Sequence, residues 1–299
     1  MVAGSISVPM GISDIQRWLN RWWPSVRVRI DPLQGTHAGD RYAPVSIANL
    51  KLVPAMRREV LARRVARQLT FGDGQRLTIV IPYRDREAHL RQLLPELRAT
   101  LNAQGIHYHV LIVEQEAGGL FNRGKLINIG IHYAAARTDY YCIHDVDALP
   151  VVANYGCPSQ PLRLMHKVRR ALGEEERPAH YFSAAVSIRK EHIFAANGFS
   201  NEYWGWGKED DDFFFRLLLA GFVCYFDRQG TFHDLPNPQQ QQVRRSGAAM
   251  PRHVAVNRRR RSLLLRGVLD PATEGLNTLR YQLLKSVPGE GYEKILVGW

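Results

Sequence analysis

Two clusters of carboxylates carry most of the chemistry this sequence could do. Asp145-Val146-Asp147 closes the apolar run Tyr140–His144. In an extended segment residues i and i+2 point the same way, so both carboxylates could face one cation or diphosphate. A hard divalent cation takes oxygen ligands and can bridge substrate phosphates. The bland alternative is a solvated turn, where Asp is common. The second cluster, Trp204-Gly205-Trp206-Gly207-Lys208-Glu209-Asp210-Asp211-Asp212, is less ordinary. Indoles separated by glycines make a flexible aromatic loop that can stack on sugar rings, and the carboxylates can accept sugar hydroxyls. Crowded carboxylates raise one another's pKa, which suits one of them to general-base work. An acidic helix N-terminus accounts for part of this block, but for neither the tryptophans nor the glycines.

Basic residues flank these clusters. Arg84 and Arg86 follow an apolar run, and Phe121-Asn122-Arg123-Gly124-Lys125 precedes a helical one. Arginines so placed are natural phosphate or carboxylate partners, although any single one is as readily a solubilising surface group. His233, in Thr231-Phe232-His233-Asp234, is on its own more often structural than a ligand. There is no Ser-His-Asp order, phosphate-binding Walker loop or G-x-G-x-x-G fingerprint. Serine-type acyl transfer, ATP hydrolysis and hydride transfer are therefore poorly supported.

The elements that must position these groups follow from periodicity. Residues 77–82, 108–114 and 140–144 read as buried strands, separated by helices over 86–101 and 125–137. That order predicts a parallel α/β sheet with ligands at the carboxyl ends of its strands, where the residues singled out above fall. A strand over 181–189, a helix over 211–219 and a short strand over 221–226 are expected next. The Gln- and Arg-rich stretch 236–261, with Pro236, Pro238 and Pro251, reads in part as a mobile loop. Upstream, residues 12–23 suggest an amphipathic helix and residues 50–69 a basic one.

The 299 residues, 45% hydrophobic and 23% charged, exclude a disordered or collagen-like chain, and no apolar stretch is long enough to span a bilayer. Lys plus Arg number 40 against 28 Asp plus Glu, and a net charge of +12 calls for an anionic partner: nucleic acid, acidic lipid or a phosphorylated small molecule. Three cysteines are too few for a disulfide framework, which points to a reducing, cytoplasmic home and leaves a Cys142–Cys157 bridge open. Residues 1–24 show neither a secretory signal nor a signal anchor.

In order along the chain, several motifs resemble the β-1,4-galactosyltransferase family. They are Arg41-Tyr42-Ala43-Pro44, Ile81-Pro82-Tyr83-Arg84-Asp85-Arg86-Glu87-Ala88-His89-Leu90, Phe121-Asn122-Arg123-Gly124-Lys125-Leu126, Asp145-Val146-Asp147, the block from Asn197 through Asp212, and Gly275-Leu276-Asn277-Thr278-Leu279-Arg280-Tyr281. The W-G-W-G-x-E-D-D-D block is the specific part. The resemblance implies a single catalytic domain of GT-A type: α/β, Rossmann-like, with a mostly parallel central sheet flanked by helices. Residues 1–75 would be an N-terminal extension, 76–150 the nucleotide-sugar-binding half and 151–299 the acceptor-binding and catalytic half.

The activity implied is inverting, metal-dependent transfer of galactose from UDP-galactose to a sugar hydroxyl, with Mn2+ as cofactor. Pro82, Tyr83, Arg84, Asp85, Arg86, Phe121, Asn122 and Arg123 would hold the donor, with Asp145 and Val146 beside them. Asp147 and His233 would be metal ligands. Trp206 would close over the donor, Lys208, Glu209 and Asp211 would line the acceptor site, and Asp210 would be the catalytic base. Tyr181 matches the aromatic that favours galactose over N-acetylgalactosamine.

Some positions depart from the family's pattern. Gly230 stands where the family commonly has a methionine ligand, leaving water or Asp234 as candidates for the third. Ser183-Ala184 replaces Gly-Gly, and Gln240-Gln241 replaces an Arg-Phe pair that holds an acceptor's N-acetyl group. The alternatives are N-acetylgalactosaminyl transfer in polysaccharide synthesis and a carbohydrate-binding protein with a vestigial site. Arg244, Arg245, Arg252 and Arg258–Arg261 lack interleaved aromatics, so an anionic membrane surface or a lipid-linked pyrophosphate suits them better than nucleic acid, with a solvated basic loop as the bland reading.

Overall fold

The run Leu77–Tyr83 is apolar without alternation because it is covered on both faces: all seven residues are buried. The structure is a computed structural model that describes residues 40–45, 54, 56, 69–169, 177–178, 182–236 and 251–299. In chain order the first part contains β1 (Tyr42–Pro44), β2 (Phe71–Gly72), β3 (Leu77–Tyr83), α1 (Glu87–Ala103), β4 (Tyr108–Gln115), α2 (Arg123–Ala134) and β5 (Tyr140–His144). The middle holds β6 (Ala148–Val152), β7 (Cys157–Pro158), β8 (Leu162–Arg163), β9 (Lys167–Arg169), β10 (Arg177–Pro178), β11 (Ala185–Arg189) and α3 (Lys190–Ala195). Then come α4 (Glu209–Leu219), β12 (Tyr225–Asp227), β13 (Thr231–Asp234), α5 (Arg252–Leu265), β14 (Gln282–Gly289) and β15 (Tyr292–Gly298).

Nine strands form the main sheet in the order β1-β12-β8-β11-β5-β3-β4-β15-β14. Its centre is parallel, with β3 between β4 and β5 and β15 added beyond β4. The leucine stripe of α1 (Leu90, Leu93, Leu97 and Leu101) packs one face of this centre, and α2 and α4 belong to the core on the other. Sheet ends therefore emerge at one edge, which carries Arg84, Asp145 and the turn into α2.

The sheet is mixed rather than mostly parallel. Strand β11 runs antiparallel to both β5 and β8, and β1 and β14 are antiparallel edges. Among the described residues no crossover helix lies between β5 and β11, and the chain returns in the opposite direction. A second sheet, β10-β9-β13-β6, stands beside the site. The expected helix at 125–137 is α2 followed by a 3-10 turn at Ala135–Arg137. The stretch read in part as a mobile loop is helical from Arg252 onward, with Pro251 at the start where its missing N–H costs nothing. The expected helix at 12–23 lies outside the described residues, as does that at 50–69 apart from Pro54 and Met56, which are helical.

Helix α4 is buried along most of its length, and Asp212 and Arg216 are buried with it. Arg216 donates Nε to Asp212, which also accepts from Tyr203 Oη at 2.9 Å. Its other nitrogens reach Pro271 O (2.9 Å), Glu274 O (2.8 Å) and Glu274 Oε1 (2.9 Å), tying α4 to the turn after α5. Replacing Arg216 by Met strands a carboxylate in the interior. Urea unfolding should show a loss of about 3–5 kcal/mol; a variant as stable as the parent would overturn this reading of the network.

Candidate functional site

Arg123 begins α2, and the turn before it is fixed by Asn122. The Asn122 side chain caps the helix by accepting from Lys125 N at 2.9 Å and donates to Asn201 O at 2.8 Å. Arg123 is thus aimed from a rigid helix start. Its guanidinium lies 2.7 Å from Asp145 Oδ1 through one terminal nitrogen and 2.6 Å from Asp210 Oδ1 through the other, with Glu209 Oε1 at 3.7 Å. One cation joins the end of β5 to the start of α4.

A cavity of about 380 Å³ opens over this cluster. Of the residues expected from sequence, Pro82, Arg84, Arg86, Phe121, Arg123, Asp145, Val146, Asp147, Trp206, Lys208, Glu209, Asp210 and Asp211 line it. Asp145 and Asp147 meet there across a turn, not through strand alternation: β5 ends at His144, and Ala148 N donates to Asp145 O. Four expected residues are elsewhere. Tyr83 is buried behind the wall, its hydroxyl 3.4 Å from Glu87 Oε2, and burial pushes its pKa to about 12. Asp85 is exposed at a left-handed φ of 53°. Asn122 is fully buried and spent on the cap. His233 sits on β13 opposite Leu149, one residue before Asp234, which does line the cavity. Tyr181 lies outside the described residues, as do Gln240, Gln241, Arg244 and Arg245.

Sequence reasoning missed Met165 and Ser183's bond to Arg123 (3.4 Å), both at the wall. It also missed what holds the tryptophan loop. Gly205 has φ 73°, its N–H reaches Phe121 O at 2.8 Å, and a Cβ there would collide with the His253 ring. Asn257, buried on α5, donates to Trp204 O at 3.0 Å and Trp206 O at 3.4 Å. An asparagine among arginines gave no signal of this. Ala184, where the family has glycine, keeps φ 71° and accepts from Asp145 N at 2.7 Å. The left-handed conformation costs an alanine about 1 kcal/mol.

The donors for a cation are hard. Asp147 and Asp234 line the same cavity, His233 adjoins them, and Leu235 N donates to Asp147 O at 2.8 Å, holding the two strand ends together. Among the described residues no three His, Cys, Asp or Glu side chains are gathered closely enough to hold a metal alone. The donor set fits a divalent ion that completes its shell with diphosphate oxygens. Gly230 cannot be exchanged for a ligand, because any Cβ there overlaps the Leu164 carbonyl.

Burial dominates the titration of this cluster. It pushes Asp145 to about 7, against the pull of Arg123 and with Asp147 and Asp210 adding repulsion. It pushes Glu209 to about 8, with Asp210 adding to the rise and Arg123 opposing it. Burial works against the Arg123 cation, but Asp145, Asp210 and Glu209 outweigh it and its pKa is raised.

A mixed sheet with parallel centre, aspartates at its carboxyl edge and an acidic helix start opposite them defines a GT-A glycosyltransferase fold. Residues 72–158 match the family model described as the N-terminal region of glycosyl transferase group 7, and residues 163–231 match the N-terminal domain of galactosyltransferase. β-1,4-Galactosyltransferase 7 of Drosophila melanogaster is 38% identical over 148 residues, 49% of this chain and 46% of that one. β-1,4-Galactosyltransferase 4 of Cricetulus griseus is 34% identical over 227 residues, 75% of this chain and 63% of that one. The crystal structure of the catalytic domain of Drosophila β-1,4-galactosyltransferase 7 with xylobiose superposes with a TM-score of 0.62 at 28% identity, covering 75% of this chain and 94% of that one. A mutant of that enzyme in complex with manganese, UDP-Gal and xylobiose gives 0.61 at 27% identity, with the same coverage. The chain belongs to the β-1,4-galactosyltransferase family. It spans about half the length of the curated relatives it matches.

The raised carboxyls make stability fall with pH. Unfolded, Asp145 and Glu209 lose their protons near 3.8 and 4.5; folded, they keep them to about 7 and about 8. Between those limits the folded chain binds more protons, so each rise in pH costs it stability. Urea midpoints should drop from pH 5 to pH 9, and Glu209→Gln should flatten the upper part of that slope. A midpoint rising over the same range would contradict the assignment.

Proposed function

We propose that this chain is an inverting glycosyltransferase that moves galactose from UDP-galactose to a saccharide hydroxyl, with Mn2+ as its cofactor. The observation that carries this reading is that one cavity is lined both by Arg84, Arg86 and Arg123 and by Lys208, Glu209, Asp210 and Asp211. Its relatives support the same activity: they are β-1,4-galactosyltransferases, and a mutant of one was crystallised in complex with manganese, UDP-Gal and xylobiose.

In this reading the arginines bind the diphosphate. Arg84 is held over the Phe121 ring at 5.4 Å and bonded to the Gly118 and Gly119 carbonyls, so it is pre-oriented. Asp147, His233 and Asp234 would hold the metal, which when bound neutralises charge growing on the leaving diphosphate. Asp210 takes the proton of the attacking hydroxyl. Because Asp210 is bonded to Arg123, that proton cancels the charge Arg123 was balancing, and the guanidinium's field is freed for the departing diphosphate as charge builds there. Trp206, about a third exposed at the mouth, excludes water that would otherwise hydrolyse the donor.

In this reading residues 76–150 serve the nucleotide-sugar side and 151–299 the acceptor and catalytic side, while within 1–75 the strands β1 and β2 already pair with β12 and β7. The pairing of β15 with β4 makes one sheet of both halves. No helix among the described residues is long and apolar enough to cross a membrane. The three cysteines are free and buried, which suits a reducing, cytoplasmic setting.

Asp210→Asn should lower galactose transfer to xylosides or N-acetylglucosamine by about 10²–10⁴-fold. UDP binding, followed by calorimetry with manganese present, should persist. Undiminished transfer by this variant would remove Asp210 from the role of base; a parent protein that binds sugar and never releases UDP would leave only a lectin.

A further inference from the structure

Between Leu235 and Leu269 the chain holds eight arginines and not one Asp, Glu or Lys. Helix α5 sorts those it contains into two sets. Arg260 and Arg261 turn inward and are neutralised, by Glu274 at 2.7 Å and by Asp211 at 2.7 Å. Arg252, Arg258, Arg259 and, at the helix end, Arg266 are exposed, and none of them pairs with a carboxylate among the described residues. The same outer face carries apolar groups. Val256 is 54% exposed, Val268 just beyond the helix is 51% exposed, and Leu263 is half-buried between them. Arg252, Val256, Arg259, Leu263 and Arg266 recur every three or four residues and so share one stripe.

We propose that this stripe docks the chain on an anionic phospholipid surface. Three features select that partner. The cations are all guanidinium groups, whose planar fork matches phosphate oxygens in pairs and sheds water more readily than an ammonium. They stand beside the exposed aliphatic side chains of Val256 and Val268, which can rest against the headgroup–acyl boundary while the charges meet phosphate. No Phe, Tyr or Trp stands among them to stack on bases, as a nucleic-acid surface of this kind would want. The inner face of the same helix meanwhile holds the Trp204–Trp206 carbonyls through Asn257 and the Asp211 wall through Arg261. The docking face and the cavity wall are thus two sides of one rigid element. Docking of this kind does not depend on the reaction proposed above.

Co-sedimentation of the full chain with mixed phosphatidylglycerol–phosphatidylcholine vesicles tests this. Binding is expected at low ionic strength, with loss at high salt and none to phosphatidylcholine alone. Each exposed arginine should contribute about five-fold in partitioning. Replacing Arg252, Arg258, Arg259 and Arg266 together by Gln should therefore weaken binding by at least about a hundred-fold. Thermal melting of that variant should match the parent, since all four positions are exposed. Val256→Ser with Val268→Ser should weaken vesicle binding with the charge unchanged. Equal partitioning into neutral and anionic vesicles, or full binding by the quadruple variant, would overturn the proposal. So would displacement of the parent from vesicles by duplex DNA together with undiminished vesicle binding by the double valine variant, which would assign the face to nucleic acid.

Discussion

One buried guanidinium sets the terms for the rest of the molecule. Arg123 holds together three carboxylates from two separate elements, and it can do so only because α2 begins at a fixed point on the sheet edge. Three negative groups crowded into a desolvated corner would repel one another apart. With the cation between them they converge, although the corner still favours protons on Asp145 and Glu209. The price of this arrangement is that every element touching the corner must be rigid. The cap by Asn122, the Gln115 side chain that accepts from Asn122 N at 2.8 Å, and the Arg216–Asp212–Glu274 network behind α4 supply that rigidity.

Against this frame the tryptophan loop is held differently. Gly205 and the left-handed Lys208 let the backbone turn tightly, and its carbonyls are caught from behind by one buried asparagine. The loop rests on α5 through the hydrogen bonds from Asn257, and Trp204 meets the ring of Trp299, beyond β15, edge-on at 5.9 Å. Few bonds over a well-packed support are what a segment needs if it is to move while its neighbours stay in place.

Much of this was legible in the sequence, for reasons that can be named. Strands β3, β4 and β5 are short apolar runs closed by charged residues, and the leucine spacing of α1 has a clear helical period. The carboxylate block and Asp145-Val146-Asp147 fell on the cavity wall because strand ends and helix starts meet at one edge. What escaped was long-range. Nothing local marks β11 as antiparallel, since direction depends on how residues 145–184 return to the sheet. The Arg-rich stretch looked like loop because its helix has almost no apolar periodicity and is held by single residues such as Val254 and Asn257. Asn122 and Tyr83, expected among the donor contacts, have their side chains bonded to the scaffold, as buried polar groups beside a site often do.

The strand order also has a consequence in time. Strand β15 pairs with β4 over Glu293–Val297, and Glu116 N donates to Val297 O at 2.9 Å. Residues 292–298 leave the ribosome after every other described strand. Until they do, β4 is an open edge in the middle of the future sheet, with its hydrogen-bonding groups facing solvent. The turn that places Arg123 hangs from Gln115 at the end of that same strand. The corner around Arg123 is therefore completed only after this strand has been made, and a nascent chain before that point is the form most exposed to misassembly.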